Sequence, residues 1–411
     1  MNIVHLGIGI VPVPPGDEAG GREEYIYQLT DHLGRLECQV HVIDIKGGAP
    51  QKEKRQKSPV RFHLVKGPFL PYRCNLPFLR RFSRYILYPL DTLNYVLFSL
   101  LAAFTLNRLL SEKKIEVIHT HQRDAALAAV LVNKLRRARA VVLYTPQAMT
   151  SLKKWLRNVI HFAEIIALKW IDHVVALTAA YKDWLAAEYN LDPKKITPIH
   201  VGAAIDEIKQ FRSQQEAVNQ QSKIVLCVGG IMERKNQLTA VKAIARVVST
   251  HPEVKLVFVG RISERNYFDA MRRFIAENGL TDHVEFKGEV TKQALYSAYS
   301  NASLFMFPTT SEIQPTVIIE ALAFGLPIIA SNIGANLKVL SQKEGSAFMV
   351  EPYDVDGIAA AVVRLLEDGS LRKAMSQKAE ELAQSLSYEK VAVQTLTLYN
   401  KLVQDKRQSS S

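Results

Sequence analysis

Residues 308–327 read Pro308-Thr-Thr-Ser-Glu312-Ile-Gln-Pro315-Thr-Val-Ile-Ile-Glu320-Ala-Leu-Ala-Phe-Gly325-Leu-Pro327. The pattern predicts a loop and then a short buried helix, because Pro315 suits the first helical position, Gly325 suits the helix end and Pro327 prevents continuation. A buried strand is expected next, at 328–330. A short helix that leads directly into an apolar strand is typical of an α/β fold.

The start of this predicted helix is a candidate phosphate site. Its first N–H groups have no acceptor within the helix and lie at the positive end of the helix dipole. Two carboxylates flank them, Glu312 in the loop and Glu320 in a helix that is otherwise almost wholly apolar. An ionised Glu there needs a partner, so Glu320 either pairs with a buried Arg, caps a neighbouring loop or serves a ligand site. The N–H groups are those of Thr316, Val317, Ile318 and Ile319.

Length and composition indicate a globular protein of two domains. The chain has 411 residues, of which 48% are hydrophobic and 22% charged, and one core seldom serves so long a chain. Its three cysteines, Cys38, Cys74 and Cys227, lie far apart without metal-ligand spacing, which indicates a reduced compartment and no disulfide framework. Residues 1–7 lack a cationic segment and are predicted to form a buried strand rather than a signal peptide.

The charge of the chain is concentrated in its first half. Residues 1–200 hold 28 of the 52 Lys and Arg but only 17 of the 40 Asp and Glu, so they carry most of the net charge of +12. A basic half can meet nucleic acid, an acidic substrate or an anionic membrane, or can simply be a soluble surface. The aromatic and Arg-rich segment 78–85 is a candidate for the membrane contact. The charge-free run at 92–107 is too short to span a bilayer and is expected to be a core helix.

Strands and helices alternate through both halves, which predicts two parallel sheets with crossover helices. In each half the first strand leads into a turn with paired glycines. The first turn contains Gly20-Gly21-Arg22-Glu23, and the second contains Gly229-Gly230 followed by Arg234-Lys235-Asn236. Predicted strands of the second half are 224–228, 255–259, 283–286 and 304–307, and predicted helices are 237–249, 267–278 and 292–300.

The run from Glu312 through seven residues to Glu320-Ala-Leu-Ala-Phe-Gly-Leu-Pro-Ile-Ile-Ala-Ser331 resembles the paired-glutamate signature of family 4 retaining glycosyltransferases. These enzymes use nucleotide sugars and have the GT-B fold, in which two Rossmann-like domains face each other across a cleft. The resemblance implies that Glu312 binds the donor sugar, that Glu320 binds the ribose, and that the backbone of Thr316, Val317 and Ile318 binds the phosphates.

The resemblance extends to the glycine turns, with two departures. Lys235 matches a family Lys that grips the diphosphate, but Gly230 stands where the family has Arg, so Arg234 or Arg261 would have to replace it. Gly20 and Gly21 resemble a Gly-Gly opening, which implies donor binding by Gly20, Gly21, Gly229 and Gly230. Gln147 stands where many members have His in a Thr-x-His motif.

Two motifs raise the question of a bound metal. His119-Thr-His121 ends a predicted strand, but no third ligand is close in sequence, so neither His is expected to bind metal. Asp354-Val-Asp356 precedes an amphipathic run and is predicted to be an acidic helix start. We therefore expect no metal and no cofactor besides the co-substrate, a nucleotide diphosphate sugar.

By this resemblance, residues 1–203 are expected to form an acceptor-binding domain and 204–387 a nucleotide-sugar-binding domain. Helix 388–403 is expected to pack on the first domain, and 404–411 to be a disordered tail. The implied reaction moves a hexose to an acceptor hydroxyl with retention, without metal. The expected acceptor is a carbohydrate or lipid-linked polysaccharide precursor, with no nucleic acid as partner.

The resemblance then implies catalytic roles for Glu312, Lys235 and Arg234. The protein is expected to be cytoplasmic, with peripheral contact at the inner face of the membrane. A nucleotide-sugar epimerase or hydrolase on the same fold, and a catalytically weak nucleotide-sugar-binding module, are the alternatives.

Overall fold

The computed structural model describes residues 1–7, 21–45, 60–67, 83–146, 164–214, 223–312, 315–334, 339–340 and 345–409, with the backbone alone at 21 and 83–93. Its internal contacts divide the chain into two units. The N-terminal unit comprises Met1–His200 and Glu389–Ser411, and the C-terminal unit comprises Val201–Tyr388. The division falls close to the boundaries expected at 203 and 387.

Seven parallel strands form the sheet of the N-terminal unit, in the order β3-β2-β1-β4-β5-β6-β7. Helices are expected on both faces of such a sheet, because nearly every residue of the inner strands is buried. The strands are β1 (Asn2–Leu6), β2 (Gln39–Ile45), β3 (Val60–Val65), β4 (Val117–Thr120), β5 (Val141–Tyr144), β6 (His173–Ala176) and β7 (Ile196–Pro198). The main helices are α1 (Gly21–Arg35), α2 (Ser83–Glu112), α3 (Arg123–Leu135) and α4 (Ala179–Tyr189).

Six parallel strands form the sheet of the C-terminal unit, in the order β10-β9-β8-β11-β12-β13. They are β8 (Ile224–Val228), β9 (Lys255–Val259), β10 (Val284–Phe286), β11 (Leu304–Phe307), β12 (Ile328–Ser331) and β13 (Ala347–Val350). The helices are α5 (Ile205–Ser213), α6 (Gln237–Val247), α7 (Arg265–Glu277), α8 (Lys292–Asn301), α9 (Thr316–Ala323), α10 (Val355–Glu367) and α11 (Gly369–Ser385). Each strand and helix predicted for this half is present, with ends shifted by a residue or two.

Helix α9 ends as the sequence predicts. Gly325 has φ +72°, and its N–H donates to Leu322 O at 2.9 Å while Leu326 N–H donates to Ala321 O at 3.0 Å. This pair of bonds is a Schellman motif, which requires a left-handed residue and therefore favours glycine. The chain then turns directly into β12.

The last helix of the chain, α12 (Tyr388–Gln408), corrects the prediction of a disordered tail. Residues 404–408 are helical, and Lys406 Nζ donates to Asp172 Oδ2 at 2.6 Å and to Ala140 O at 2.9 Å. The polar composition of this segment reflects ion pairing rather than disorder.

Helix α2 is a core helix on one face only. Phe98, Ala102 and Leu106 are buried, whereas the opposite side of the helix is exposed. Among the described residues, no helix is long and apolar enough to cross a membrane. The segment 78–85 is the predicted membrane contact. Its residues 78–82 lie outside the described residues, and only the backbone is described at 83–85.

Candidate functional site

Lys235 is positioned by the turn between β8 and α6. Gly229 has φ +144°, and a Cβ at this glycine would lie 3.6 Å from Lys235 Cε, so the lysine chain runs along the glycine backbone. A single 3₁₀ turn, Glu233–Lys235, then leads into α6. Gly229 is thus in contact with the lysine side chain, and its positive φ is the reason that glycine is favoured there.

Asn236 fixes this turn to two other loops. It has φ +55°, a left-handed conformation that Asn adopts more readily than most residues. Its Nδ2 donates to Pro308 O at 3.0 Å and to Pro352 O at 2.6 Å, and its Oδ1 accepts a hydrogen bond from Thr239 Oγ1 at 2.7 Å. The lysine turn is therefore tied to the end of β11, where Glu312 follows.

Glu312 is held by both cations of the turn. Lys235 Nζ lies 2.5 Å from Glu312 Oε2, with both side chains 14% exposed. Arg234 Nη1 lies 3.1 Å from the same oxygen and donates to Ser311 O at 2.7 Å. The structure thus brings together all three residues to which the sequence assigned catalytic roles.

The environment of Lys235 weakens its hold on its proton. Burial lowers the pKa of Lys235, and the neighbouring charge of Arg234 lowers it further, whereas Glu312 raises it by charge and by a hydrogen bond. The ammonium group also lies 4.7 Å from the centre of the Phe307 ring, in cation–π range. Because the Glu312 carboxylate opposes the lowering of the Lys235 pKa, it favours the charged form of the lysine.

Glu320 contacts a buried tyrosine. Tyr299 Oη lies 3.0 Å from Glu320 Oε2 and 3.2 Å from Val317 O. Tyr299 is fully buried, and burial together with the Glu320 charge raises its pKa well above the ordinary value. The hydroxyl therefore stays protonated and fixes Glu320 against the first turn of α9.

The helix start differs from the prediction in two respects. Pro315 is the residue before the helix and not its first residue. The N–H of Ile318 donates to Pro315 O at 3.0 Å, so the prediction that it is unpaired is wrong. The 3₁₀-type bond arises because the proline carbonyl closes the first turn. Thr316 and Val317, whose N–H groups were also predicted to bind phosphate, precede Ile318 in the chain, so they lie within the turn that this bond closes.

The remaining predicted site residues fall at several places. Gly230 faces Ser263, whose Oγ would lie 2.6 Å from a Cβ at this position, and Arg261 O accepts the N–H of the next residue, Ile231, at 2.8 Å. Gly21 is the first residue of α1. Gly20 and Gln147 lie outside the described residues.

The acidic motif near residue 354 is structural, as predicted. Asp354 caps helix α10, and its Oδ1 accepts the N–H of Gly357 at 2.8 Å. Asp356 pairs with Arg246 at 3.0 Å.

The histidine pair has a third member that the sequence did not reveal. Parallel pairing of β1 with β4 places His5 opposite His119, and the side chains of His5, His119 and His121 offer nitrogen atoms within 4.8 Å of one another. No third histidine is close in sequence, but the sheet register places His5 beside the pair, because pairing of strands joins residues that are distant in sequence.

Sequence reasoning also missed Asn236 and Tyr299. Both lie on elements that were correctly predicted, but neither has a charge or belongs to the paired-glutamate pattern. The signal for Asn236 was its place just before a helix, where Asn is favoured as a cap.

Two parallel α/β units, the second with a lysine–glutamate site beside a helix N-terminus, define a GT-B glycosyltransferase fold. Residues 19–207 match the sequence model of the family "Glycosyltransferase Family 4". Residues 208–382 match that of the family "Glycosyl transferases group 1". The chain belongs to the family 4 glycosyltransferases.

Two relatives have names that include a lipid group, and other relatives are D-inositol 3-phosphate glycosyltransferases, such as that of Streptomyces scabiei, which is 26% identical over 57% of this chain and 55% of its own length. The phosphatidyl-myo-inositol mannosyltransferase of Mycolicibacterium smegmatis is 30% identical over 44% of this chain and 45% of its own length. The Escherichia coli UDP-Gal:alpha-D-GlcNAc-diphosphoundecaprenol alpha-1,3-galactosyltransferase is 24% identical over 64% of this chain and 70% of its own length. The matches thus span from under half to about two thirds of these relatives.

A solved structure supports the fold over nearly the whole chain. HepE of Anabaena, solved in complex with UDP, has a TM-score of 0.71 at 16% identity, with 98% of this chain and 100% of that chain covered. At this identity the likeness shows the fold.

Proposed function

We propose that the protein transfers a hexose from a nucleotide diphosphate sugar to an acceptor hydroxyl, with retention of anomeric configuration and without a metal ion at the donor site. The observation that carries the proposal is the Lys235–Glu312 pair, at 2.5 Å and 14% exposure, which joins the β8–α6 turn to the loop before α9.

The chemical demand is to stabilise the diphosphate as it leaves, because negative charge develops on its oxygens. Lys235 and Arg234 supply positive charge at one side of this loop. The first N–H groups of α9, from Thr316 and Val317, supply fixed dipoles. Together they take the role that a metal ion has in other transferases.

In this proposal the two glutamates bind different parts of the donor. Glu312 would exchange some of its contact with Lys235 and Arg234 for the hydroxyls of the donor sugar, which frees the cations for phosphate. Glu320, held by Tyr299 at 3.0 Å, would accept hydrogen bonds from the ribose. Because Glu312 is bound by two cations, it is poorly suited to act as a nucleophile, and we propose that the leaving phosphate accepts the proton of the acceptor hydroxyl.

The proposed acceptor is a lipid-linked carbohydrate or polysaccharide precursor. Support comes from two relatives whose names contain diphosphoundecaprenol and phosphatidyl-myo-inositol, and from the basic N-terminal half of the chain. The relatives named for D-inositol 3-phosphate instead favour a small acceptor without a lipid. An epimerase or hydrolase would release an epimer or free sugar without acceptor, and a weak binding module would bind donor without turnover.

A thermal-shift comparison with UDP-, GDP- and ADP-sugars tests the donor site. A ligand at 100 times its Kd raises the free energy of unfolding by about 2.7 kcal/mol, so one donor class is expected to raise Tm. The shift should be reduced in both Lys235→Met and Glu320→Gln. Absence of a shift with all three donors, in a protein that is folded by circular dichroism, would contradict the proposed site.

The exposed face of α2 supports the proposed membrane contact. Val96, Leu100 and Phe104 recur every four residues and are 43%, 58% and 73% exposed, so they share one side of the helix. Helix α3 packs beside α2 and ends in exposed cations, namely Lys134, Arg136, Arg137 and Arg139. Apolar side chains flanked by cations match an anionic lipid surface.

Vesicle sedimentation tests this contact. The protein should bind vesicles of phosphatidylglycerol and phosphatidylcholine more tightly than vesicles of phosphatidylcholine alone, and a Leu100→Ser/Phe104→Ser variant should lose at least tenfold in affinity. Ile262→Ser removes an exposed apolar residue, 43% accessible, from the C-terminal unit and serves as the control. Equal binding of all three proteins would contradict the proposal.

A further inference from the structure

A cluster of three buried histidines in the N-terminal unit is not used by the proposed transfer. His5 lies in β1, His119 in β4 and His121 just after β4. They are 0%, 0% and 2% exposed. Imidazoles at such depth need a partner for each ring nitrogen, because a buried polar atom without one is destabilising.

The hydrogen bonds of the cluster leave two nitrogens without partners among the described residues. His5 Nδ1 and His121 Nε2 lie 3.0 Å apart and share one proton. His5 Nε2 and His121 Nδ1 are buried and have no hydrogen-bond partner. Whichever tautomer forms, one buried N–H lacks an acceptor and one buried lone pair lacks a donor, so hydrogen bonds within the pair cannot satisfy both rings.

The third histidine is held from outside the cluster. His119 Nδ1 lies 2.5 Å from Tyr399 Oη on α12, and its Nε2 lies 2.6 Å from Thr145 Oγ1. A histidine that binds a metal commonly donates its other ring N–H to such an outer partner, which fixes the ring. Tyr399 can be this outer partner of His119 Nδ1. The Thr145 hydroxyl can rotate away, which would free His119 Nε2 to bind the ion.

We propose that His5, His119 and His121 bind one Zn²⁺ ion within the N-terminal unit. Zinc takes imidazole nitrogens at about 2.0–2.1 Å in tetrahedral geometry, which places the nitrogens roughly 3.3 Å apart. His5 Nδ1 and His121 Nε2 are close to this spacing at 3.0 Å, and the ion would replace the single proton that they share. Each ring would then carry its N–H on the other nitrogen, His5 Nε2 or His121 Nδ1. All three ligand atoms lie within 4.8 Å of one another, so rotation of the His119 ring toward the pair completes the set.

The ligand type favours zinc over harder cations. Three imidazoles suit Zn²⁺, Cu²⁺ or Ni²⁺, whereas Mg²⁺ and Ca²⁺ prefer carboxylate and carbonyl oxygens. A fourth position remains for water or another ligand. The ion would join β1, β4 and, through Tyr399, helix α12, and so it would stabilise the N-terminal unit rather than take part at the donor site of the other unit.

Metal analysis of the full chain, without a histidine tag, tests the site. Elemental analysis is expected to find one zinc per chain after purification in zinc-containing buffer and dialysis. Zinc should raise Tm, and EDTA should reverse the shift. His121→Ala should lose at least tenfold in zinc affinity, measured by competition with a chromogenic chelator.

A second histidine pair provides the matched control. His41 Nδ1 and His63 Nε2 lie 2.8 Å apart on β2 and β3 of the same sheet, and a third ligand is not grouped with them among the described residues. His63→Gln should therefore retain full zinc binding. Loss of zinc in His63→Gln, or less than 0.1 zinc per chain in the wild-type protein with no zinc-dependent Tm shift, would overturn the proposal.

Folding of the variant does not limit the test, because the wild-type protein has a spectroscopic readout of its own. Replacement of zinc by Co²⁺ should give visible absorption bands typical of a tetrahedral site. Bands typical of octahedral, water-bound cobalt would overturn the assignment. Donor nucleotide binding in the C-terminal unit should be unchanged by EDTA, which separates this proposal from the proposed function.

Discussion

At the residue scale, the site depends most on Lys235, whose charge is poorly solvated and matched by one carboxylate. Substitution Lys235→Met removes the charge but keeps most of the aliphatic chain beside Gly229. A hydrogen bond to a charged group contributes about 1.5–3 kcal/mol, so we expect the Kd for the donor nucleotide to rise roughly 10- to 100-fold. Calorimetric titration measures this change.

The matched control is Lys242→Met, which removes an exposed lysine from α6. This variant should bind the nucleotide as the wild-type protein does. Comparable weakening in both variants would show that the effect comes from net charge and not from the position of Lys235.

The pH dependence of nucleotide binding should report the pKa of Lys235. Only the protonated lysine attracts the diphosphate, and its pKa is lowered from the ordinary 10.5, so binding should weaken at a lower pH than for an exposed lysine. Glu312 raises this pKa. In Glu312→Gln the loss of affinity should therefore begin at a still lower pH, as measured with the nucleoside diphosphate between pH 7 and 10.

The nucleoside diphosphate is the appropriate probe, because it lacks the sugar that Glu312 is proposed to bind. A curve that is unchanged in Glu312→Gln, or displaced to higher pH, would contradict the role of Glu312 as the partner that keeps Lys235 charged.

The sequence predicted the charged members of the site but not the neutral ones. Glu312, Lys235 and Arg234 were selected through the resemblance to family 4 glycosyltransferases, because adjacent charges on a loop are by themselves more often solvated. Tyr299 resembles any core aromatic residue until its hydroxyl is seen 3.0 Å from Glu320. The sequence likewise gives no sign that His5 lies near His119, because only the register of two strands places them side by side.

At the scale of elements, the junction of β8 and α6 depends on the conformation of Asn236. Substitution Asn236→Gly keeps the left-handed backbone but removes three side-chain hydrogen bonds, which each contribute about 0.5–1.5 kcal/mol. We expect the C-terminal unit to lose about 2–4 kcal/mol of stability. Asn236→Ala should lose about 1 kcal/mol more, because alanine tolerates this φ poorly.

Urea unfolding, followed by a probe in the C-terminal unit, tests the order of stability among the wild-type protein, Asn236→Gly and Asn236→Ala. Both variants should also bind the nucleotide less tightly, because the turn that positions Lys235 is released. If Asn236→Gly is as stable as the wild-type protein, the proposed anchoring of the turn is wrong.

Strands that were missed share a physical cause. β7 (Ile196–Pro198) and β13 (Ala347–Val350) are edge strands of three and four residues, too short for alternation or a long apolar run to identify them. β3 (Val60–Val65) is an edge strand with polar residues on one side. Central strands such as β8 and β11 were identified because both of their faces are covered.

At the scale of the whole molecule, the chain ends on the unit where it began. Helix α12 belongs to the N-terminal unit, and its last turns bind that unit through Lys406 and Arg407. Arg407 Nη2 lies 2.7 Å from Glu116 Oε1. Composition alone predicted disorder here, because a polar, charged terminus looks the same whether its charges meet solvent or the ends of strands.

Deletion of residues 404–411 should therefore destabilise the N-terminal sheet. Asp172 Oδ2 accepts hydrogen bonds from both Lys406 Nζ at 2.6 Å and the N–H of Val142 at 2.7 Å. Without the lysine, the carboxylate loses its counter-charge, and we expect a cost of about 1–3 kcal/mol. Hydrogen exchange at β5 should accelerate by roughly 5- to 100-fold, since protection follows the free energy of local opening.

Deletion of residues 409–411 alone is the control for this experiment, because it keeps Lys406, Arg407 and the helix to Gln408. Exchange at β5 should then match that of the full chain, and exchange at β8 in the C-terminal unit should be unchanged in both deletions. Equal protection of β5 in the two deletions would mean that the last turns of α12 do not stabilise the sheet. Faster exchange confined to the longer deletion would instead identify residues 404–408 as a structural part of the N-terminal unit.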